Sequence, residues 1–299
     1  MAIALSAGTA APAIAADINP ADFVPTVENP HYPLRSGTTY FYRGTKEGSV
    51  LTDEFHVTQD KKVILGVTTT VIRDRAFIDG VLEEETLDWF AQDKDGNVWY
   101  FGEAAKELDA NGNVISTEGS WEAGVDGALP GIVMKAHPIV GDTYRQEFAL
   151  GVAEDMATVL ALSQDATVTY GAFTNCIKTK DFSALETSVV EEKIFAPGVG
   201  FILSVMVKGG TERLELVDIR HPSPPPPLTA RGWTASGSFA VSFPAQTDET
   251  YAVQYRRSLT GGDWSVLTNI NALAVPQTVE VTDPTATGQK EGYYRLVKP

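Results

Sequence analysis

Three turn pairs, Asp79-Gly80, Asp95-Gly96 and Asn111-Gly112, recur every sixteen residues, each between alternating or β-rich segments. Asp-Gly and Asn-Gly supply the two positive-φ positions of a tight hairpin turn, so a regular series of them describes an antiparallel meander. The spacing leaves fourteen residues between successive turns, enough for strands of about seven residues or more. No segment shows convincing helical periodicity. Further strands are expected at Tyr144–Phe148, Ala157–Leu162, Ala166–Tyr170, Cys176–Asp181, Val189–Phe195, Gly200–Val207 and Glu212–Val217. So many antiparallel strands imply an all-β fold: a large antiparallel meander closed as a barrel or half-barrel, or folded as a sandwich.

Two-residue turns would also fix the register. Ile72, Leu87, Ala104 and Gly119 then align across four strands, beside rows Thr70–Trp89–Gly102–Trp121 and Thr68–Ala91–Tyr100–Ala123. That face is apolar and is expected to be core or the lining of an apolar cavity, with Trp89, Tyr100 and Trp121 as ligand contacts. Gly102 would make room for the two indoles. A slip of one residue reverses the faces.

The opposite face carries Val71–Asp88–Glu103–Ser120 and Thr69–Phe90–Phe101–Glu122, with Arg73 and Arg75 in the rows beyond. Asp88 and Glu103 fall opposite each other, and two facing carboxylates in a dry site raise one pKa and make a general acid. Asp88, Glu103, Glu122 and Arg73 are therefore the catalytic candidates. Cross-strand ion pairing on a solvated outer face explains the same residues without chemistry. Of the four histidines, His137 alone sits in a loop between β segments, and it joins the candidates as a base or ligand; an ordinary loop histidine accounts for it equally.

No cofactor is implied. Asp93, Asp95 and Asn97 resemble the start of a calcium loop, but the twelfth position is Ala104 and no helix flanks it. A hairpin turn explains the same residues. The single cysteine, Cys176, excludes an internal disulfide and reads as a buried structural thiol. There is no G-x-S-x-G, P-loop, Rossmann glycine pattern, C-x-x-C or H-E-x-x-H, which disfavours α/β-hydrolases, nucleotide enzymes, dehydrogenases and zincins. A β-fold glycosidase or lyase needs only scattered acids and stays open.

Four consecutive prolines within residues 221–227 form a semi-rigid spacer between a body at 17–220 and a tail at 228–299. The net charge of −16 lies entirely before Leu228, because the tail holds six basic and six acidic residues. Such a body repels nucleic acid and anionic lipid. Residues 1–16 are small and apolar and end in Ala13-Ile14-Ala15, an A-x-A cleavage signal that points to secretion, though no basic residue precedes it. No apolar segment approaches the ~20 residues of a membrane-spanning helix.

Two resemblances follow from particular segments. Lys62–Val67 with Trp89–Glu103, and Val168–Lys178 with Lys193-Ile-Phe195-Ala196-Pro197-Gly198-Val199-Gly200, resemble a branch of secreted bacterial β-proteins that is similar to lipoprotein-carrier half-barrels. That resemblance implies a concave apolar face holding a lipid or a partner, and it carries over no catalytic residue. The tail segments Phe239–Pro244, Tyr251–Tyr255, Val279–Pro284 and Tyr293–Val297 resemble a short immunoglobulin or fibronectin-like β-sandwich, which implies attachment, spacing or sorting. The expected function is a secreted or surface-attached binding protein for a small apolar ligand. A secreted enzyme acting on a polymer through the acidic residues, and a purely structural surface protein, are the alternatives.

Overall fold

The computed structural model describes residues 18–247, 249–258, 260, 263–289 and 291–298. The Ala-rich segment at 1–16 lies outside the described residues. The chain divides at His221/Pro222 into two compact units.

The first unit is all-β. Its strands are β1 Phe23–Val24, β2 Thr39–Lys46, β3 Ser49–Ile64, β4 Val67–Ile78, β5 Val81–Asp93, β6 Val98–Leu108, β7 Val114–Ser116 and β8 Trp121–Glu122. They continue as β9 Leu129–Met134, β10 Thr143–Arg145, β11 Glu147–Phe148, β12 Asp155–Val168, β13 Gly171–Ser183, β14 Val190–Ala196, β15 Gly200–Lys208 and β16 Arg213–Arg220. The hydrogen-bonded order runs β10-β12-β13-β14-β15-β16-β2-β3-β4-β5-β6-β9-β11. Its two ends, β10 and β11, are separated only by Gln146, whose amide donates to the Asp155 carbonyl at 2.8 Å. The sheet thus curls into a nearly closed antiparallel barrel, which leaves few unpaired edges.

Several strands run well beyond seven residues, and β-bulges interrupt their pairing. Residues 157–162 and 166–170, expected as two strands, are largely one, β12, with register shifts inside it. The third turn opens onto only the short β7. Two bulges decide which residues face inward. The β4–β5 hairpin begins in the expected register, with Phe77 opposite Leu82, but beyond the extra residue Glu83 the pairing is Ala76–Glu84 and then Ile72–Asp88. Asp88 pairs with Glu103, and then two residues of β6, Phe101 and Gly102, oppose Trp89 alone before Phe90 pairs with Tyr100. Gly102 adopts a φ of 129°, and a Cβ there would lie 2.3 Å from the Trp121 carbonyl oxygen, so only glycine fits the bulge.

The consequence corrects the expected faces. The observed inward row is Ile72–Asp88–Glu103–Trp121, with Phe90–Tyr100 beside it. Leu87 and Trp89 point the other way. Outside, the Lys62 ammonium sits 3.3 Å from the Trp89 ring centre and pairs with Glu122 at 2.7 Å. Trp99 and Phe101 are covered by Phe23, which meets both rings edge-on. Gly102 therefore does not seat two neighbouring indoles, since Trp89 and Trp121 lie on opposite faces.

One end of the barrel is covered by the chain before β2. Asn29 donates to the Gly96 carbonyl, the amides of Glu28 and Asn29 share the Gln92 side-chain oxygen, and the Gly198 amide donates to the Pro30 carbonyl. The Ala196-Pro197-Gly198-Val199-Gly200 turn makes that last contact possible through positive φ at Gly198 and Gly200. The second unit consists of two three-stranded layers, Thr229–Trp233, Phe239–Ala245 and Gln277–Asp283 in one, and Ser265–Ile270, Tyr251–Arg256 and Tyr293–Val297 in the other. Val241, Phe243, Tyr251, Val253 and Leu296 form its core.

Candidate functional site

The barrel interior holds a cavity of about 370 Å³. One part is aromatic. Tyr32, from the segment that covers the barrel end, stands 5.6 Å from Phe90 and 6.1 Å from Phe195, and Phe90 stacks on Tyr100 at 4.7 Å. Tyr40, Tyr42 and Phe201 continue this wall. The other part is acidic, with Asp74, Asp88, Glu103, Glu147, Asp155 and Asp181 contributed by six strands.

Apart from Glu147, the acids fall into two groups, each joined by a neighbour outside the lining. Asp155, Asp181 and Glu191 surround Lys193, whose ammonium lies 3.3 Å from Asp181 and 3.4 Å from Glu191. Burial opposes the lysine's charge, but these carboxylates outweigh it and hold Lys193 above the ordinary lysine range. The second group is Asp53, Asp74, Asp88 and Glu103. None of the ion pairs among the described residues reaches it.

Without a cation, all four carboxyls take up protons more readily than solvated acids. Burial pushes Asp53 up to about 7, and burial with the nearby Asp53 charge lifts Asp74 well above the usual range. Asp53 and Asp74 are within hydrogen-bonding reach of each other. Burial, then Asp74 and Glu103, raise Asp88 strongly, while burial lifts Glu103 to about 7. Glu147 is pushed up to about 8 by burial and by Asp155. The Tyr100 hydroxyl lies 2.6 Å from Asp88 and 3.0 Å from Glu103. A phenol has one hydroxyl proton, so both contacts are satisfied together when Glu103 is protonated and donates to the phenol oxygen.

Of the sequence-based catalytic candidates, the structure brings only Asp88 and Glu103 into the cavity. Glu122 is outside with Lys62, Arg73 is exposed, and His137 is exposed in the loop after β9. Of the ligand candidates, Tyr100 lines the cavity and Trp121 packs edge-on against it at 5.4 Å, whereas Trp89 is buried on the outer face. Asp93 accepts from the Asn97 amide, the Asn97 side chain and the Trp99 indole, each at 2.8 Å, so its carboxylate serves the turn. No group of three or more metal-ligating side chains occurs among the described residues. Sequence reasoning missed Tyr32, Asp74, Glu147, Asp155, Asp181 and Lys193. Lys193 carried the clearest signal, an isolated lysine alternating with Glu191 and Phe195 on one strand face.

No protein-family model matches the chain. No curated protein matches it significantly. Among solved structures, a candidate lipoprotein from Parabacteroides distasonis ATCC 8503 is similar, with 10% identity, 64% of this chain and 98% of that chain covered, and a TM-score of 0.31. No helix among the described residues is long and apolar enough to cross a membrane.

Proposed function

We propose that this chain is a secreted or surface-attached binding protein whose barrel takes up one small organic molecule. The observation that carries this reading is the 370 Å³ cavity with an aromatic wall on one side and unpaired carboxyls on the other. Sites for small molecules have this size and this combination of apolar lining with a few convergent polar groups. The Ala13-Ile14-Ala15 signal and the acidic body support an extracellular setting. The tail, on this reading, is an immunoglobulin-like module for attachment or spacing beyond the proline linker.

The reading is tested by saturation-transfer NMR with benzyl alcohol, a neutral probe with one aromatic ring. Wild-type protein should transfer saturation to it, and Val133→Trp, which fills the cavity, should not. Gln146→Trp serves the same purpose should the first variant fail to fold. Transfer that is absent from wild type, or unchanged in a folded filled variant, would overturn the reading.

A second reading has one observation in its favour. Asp88 and Glu103, joined through Tyr100, both have raised pKa values, Glu103 to about 7, so near neutral pH one can hold a proton as general acid while the other is ionised as base. A cavity inside a nearly closed barrel suits a small substrate better than a polymer. Release of product from small glycosides by wild type, and its loss in Asp88→Asn, would establish this reading; no turnover by wild type would remove it.

A further inference from the structure

Resting on the binding reading above, we infer that the ligand is an organic amine, its ammonium seated against Asp88 and its apolar body on Phe90, Tyr32 and Phe195. Three observations converge on this class. The first is the charge imbalance: Lys193 is already neutralised by its own carboxylates, while Asp53, Asp74, Asp88 and Glu103 have no cation within ion-pair distance among the described residues. The second is an open acceptor. Asp88 is only 8% exposed and lines the cavity, yet its single hydrogen bond among the described residues, from Tyr100, occupies Oδ1. Its Oδ2 has no protein donor there. An acid oxygen left without a donor at this depth favours the protonated form in the empty cavity, and a ligand N–H supplies the donor that favours the ionised one.

The third is the neighbourhood. The aromatic faces adjoin the acids, so a cation at the carboxyls also meets ring quadrupoles. A carboxylate or phosphate ligand would keep the same acids from ionising, and would meet them as like charges wherever they do ionise. A neutral apolar molecule would use the rings and leave Asp88 Oδ2 unmatched.

Proton balance follows. Burial raises the proton affinity of the carboxyls in the empty cavity, and a bound ammonium favours their ionised form, so binding displaces the protons they still hold and tightens as pH rises from about 5.5 to 8. The groups facing the ammonium position are Asp74 from β4, Asp88 from β5, and Tyr100 and Glu103 from β6, with Asp53 from β3 interacting with Asp74 and Asp88. Glu84 of β5, Glu147 of β11, Asp155 of β12, Asp181 of β13 and Glu191 and Lys193 of β14 complete the surround, with Tyr32, Tyr40 and Tyr42 above.

The experiment is calorimetric titration of the full chain with benzylamine and with benzyl alcohol, which share size and ring and differ in charge. At pH 8 benzylamine should bind at least about tenfold tighter, a preference typical of one charge-assisted pair. The preference should shrink at pH 5.5, and runs in two buffers of different ionisation enthalpy should register proton release. In Asp88→Asn the preference should collapse, and in Glu122→Gln, on the outer face, it should persist. Equal affinity for the two probes would overturn the amine assignment and leave the cavity reading standing. Failure of both probes to bind would overturn the cavity reading and the inference with it.

Discussion

Replacing Glu103 with glutamine should stabilise the barrel at alkaline pH and leave it nearly unchanged in acid. In the folded protein burial raises this carboxyl from an ordinary 4.5 to about 7. A group whose folded pKa is raised binds more protons in the folded state than in the unfolded one, so stability falls as pH rises from the unfolded value through the folded one. At about 1.4 kcal/mol per unit, ionising Glu103 costs the folded state about 3 kcal/mol by pH 8.5. Glutamine keeps the shape, and its amide donates to the Tyr100 oxygen as the protonated acid does, without ionising. The assay is urea unfolding between pH 4.5 and 8.5 in a Trp233→Phe/Trp264→Phe background, where Trp89, Trp99 and Trp121 report on the barrel. Glu103→Gln should match its parent near pH 4.5 and exceed it by about 2–3 kcal/mol at pH 8.5. A pH-independent difference, or a parent that gains on the variant as pH rises, would refute the burial argument.

Three further outcomes follow from the same geometry. Lys193→Met removes the counter-charge of Asp181 and Glu191 and should cost about 3–5 kcal/mol, read by thermal unfolding; a loss below about 1 kcal/mol would contradict the pairing. Gly102→Ala forces a Cβ against the Trp121 carbonyl at a positive φ and should destabilise the barrel by about 1–3 kcal/mol, measured by urea midpoint. In the tail, the fully buried Asp283 accepts from Arg257 and Tyr294 as well as the Thr285 amide and hydroxyl. Although burial alone would raise it, these donors hold its pKa below the usual range, so its contribution is present above the unfolded value and is lost as pH falls through the folded one. Asp283→Asn should therefore weaken amide protection of the tail at pH 7 and much less at pH 3, by hydrogen exchange.

The all-β architecture was legible because turn chemistry is local: Asp79-Gly80 starts its hairpin in the register that its two central residues dictate. The direction of each side chain was not, because a bulge reverses it and bulges depend on neighbouring strands. Within Glu83-Glu84-Glu85 nothing marks Glu83 as the extra residue. Gly102 did carry a signal, since an isolated glycine within a strand often marks a bulge, but it equally suited a gap for the two indoles. The pairing of Asp88 with Glu103 could be read locally, as both lie on one hairpin. The rest of the site could not. Glu147, Asp155, Asp181 and Lys193 reach the cavity only when the sheet curls round, and Tyr32 arrives from a segment held by side chains more than sixty residues away.

The most direct test of the central claim, that the barrel interior is the binding site, is the position of bound benzylamine relative to the aromatic rings. Isotope-filtered NMR on labelled full-length protein at pH 8 reads this as NOEs from the benzylamine protons. The account predicts NOEs to the rings of Phe90, Tyr100 and Phe195. NOEs confined to outer-face rings such as Trp89 and Trp99, or to the tail, would contradict it.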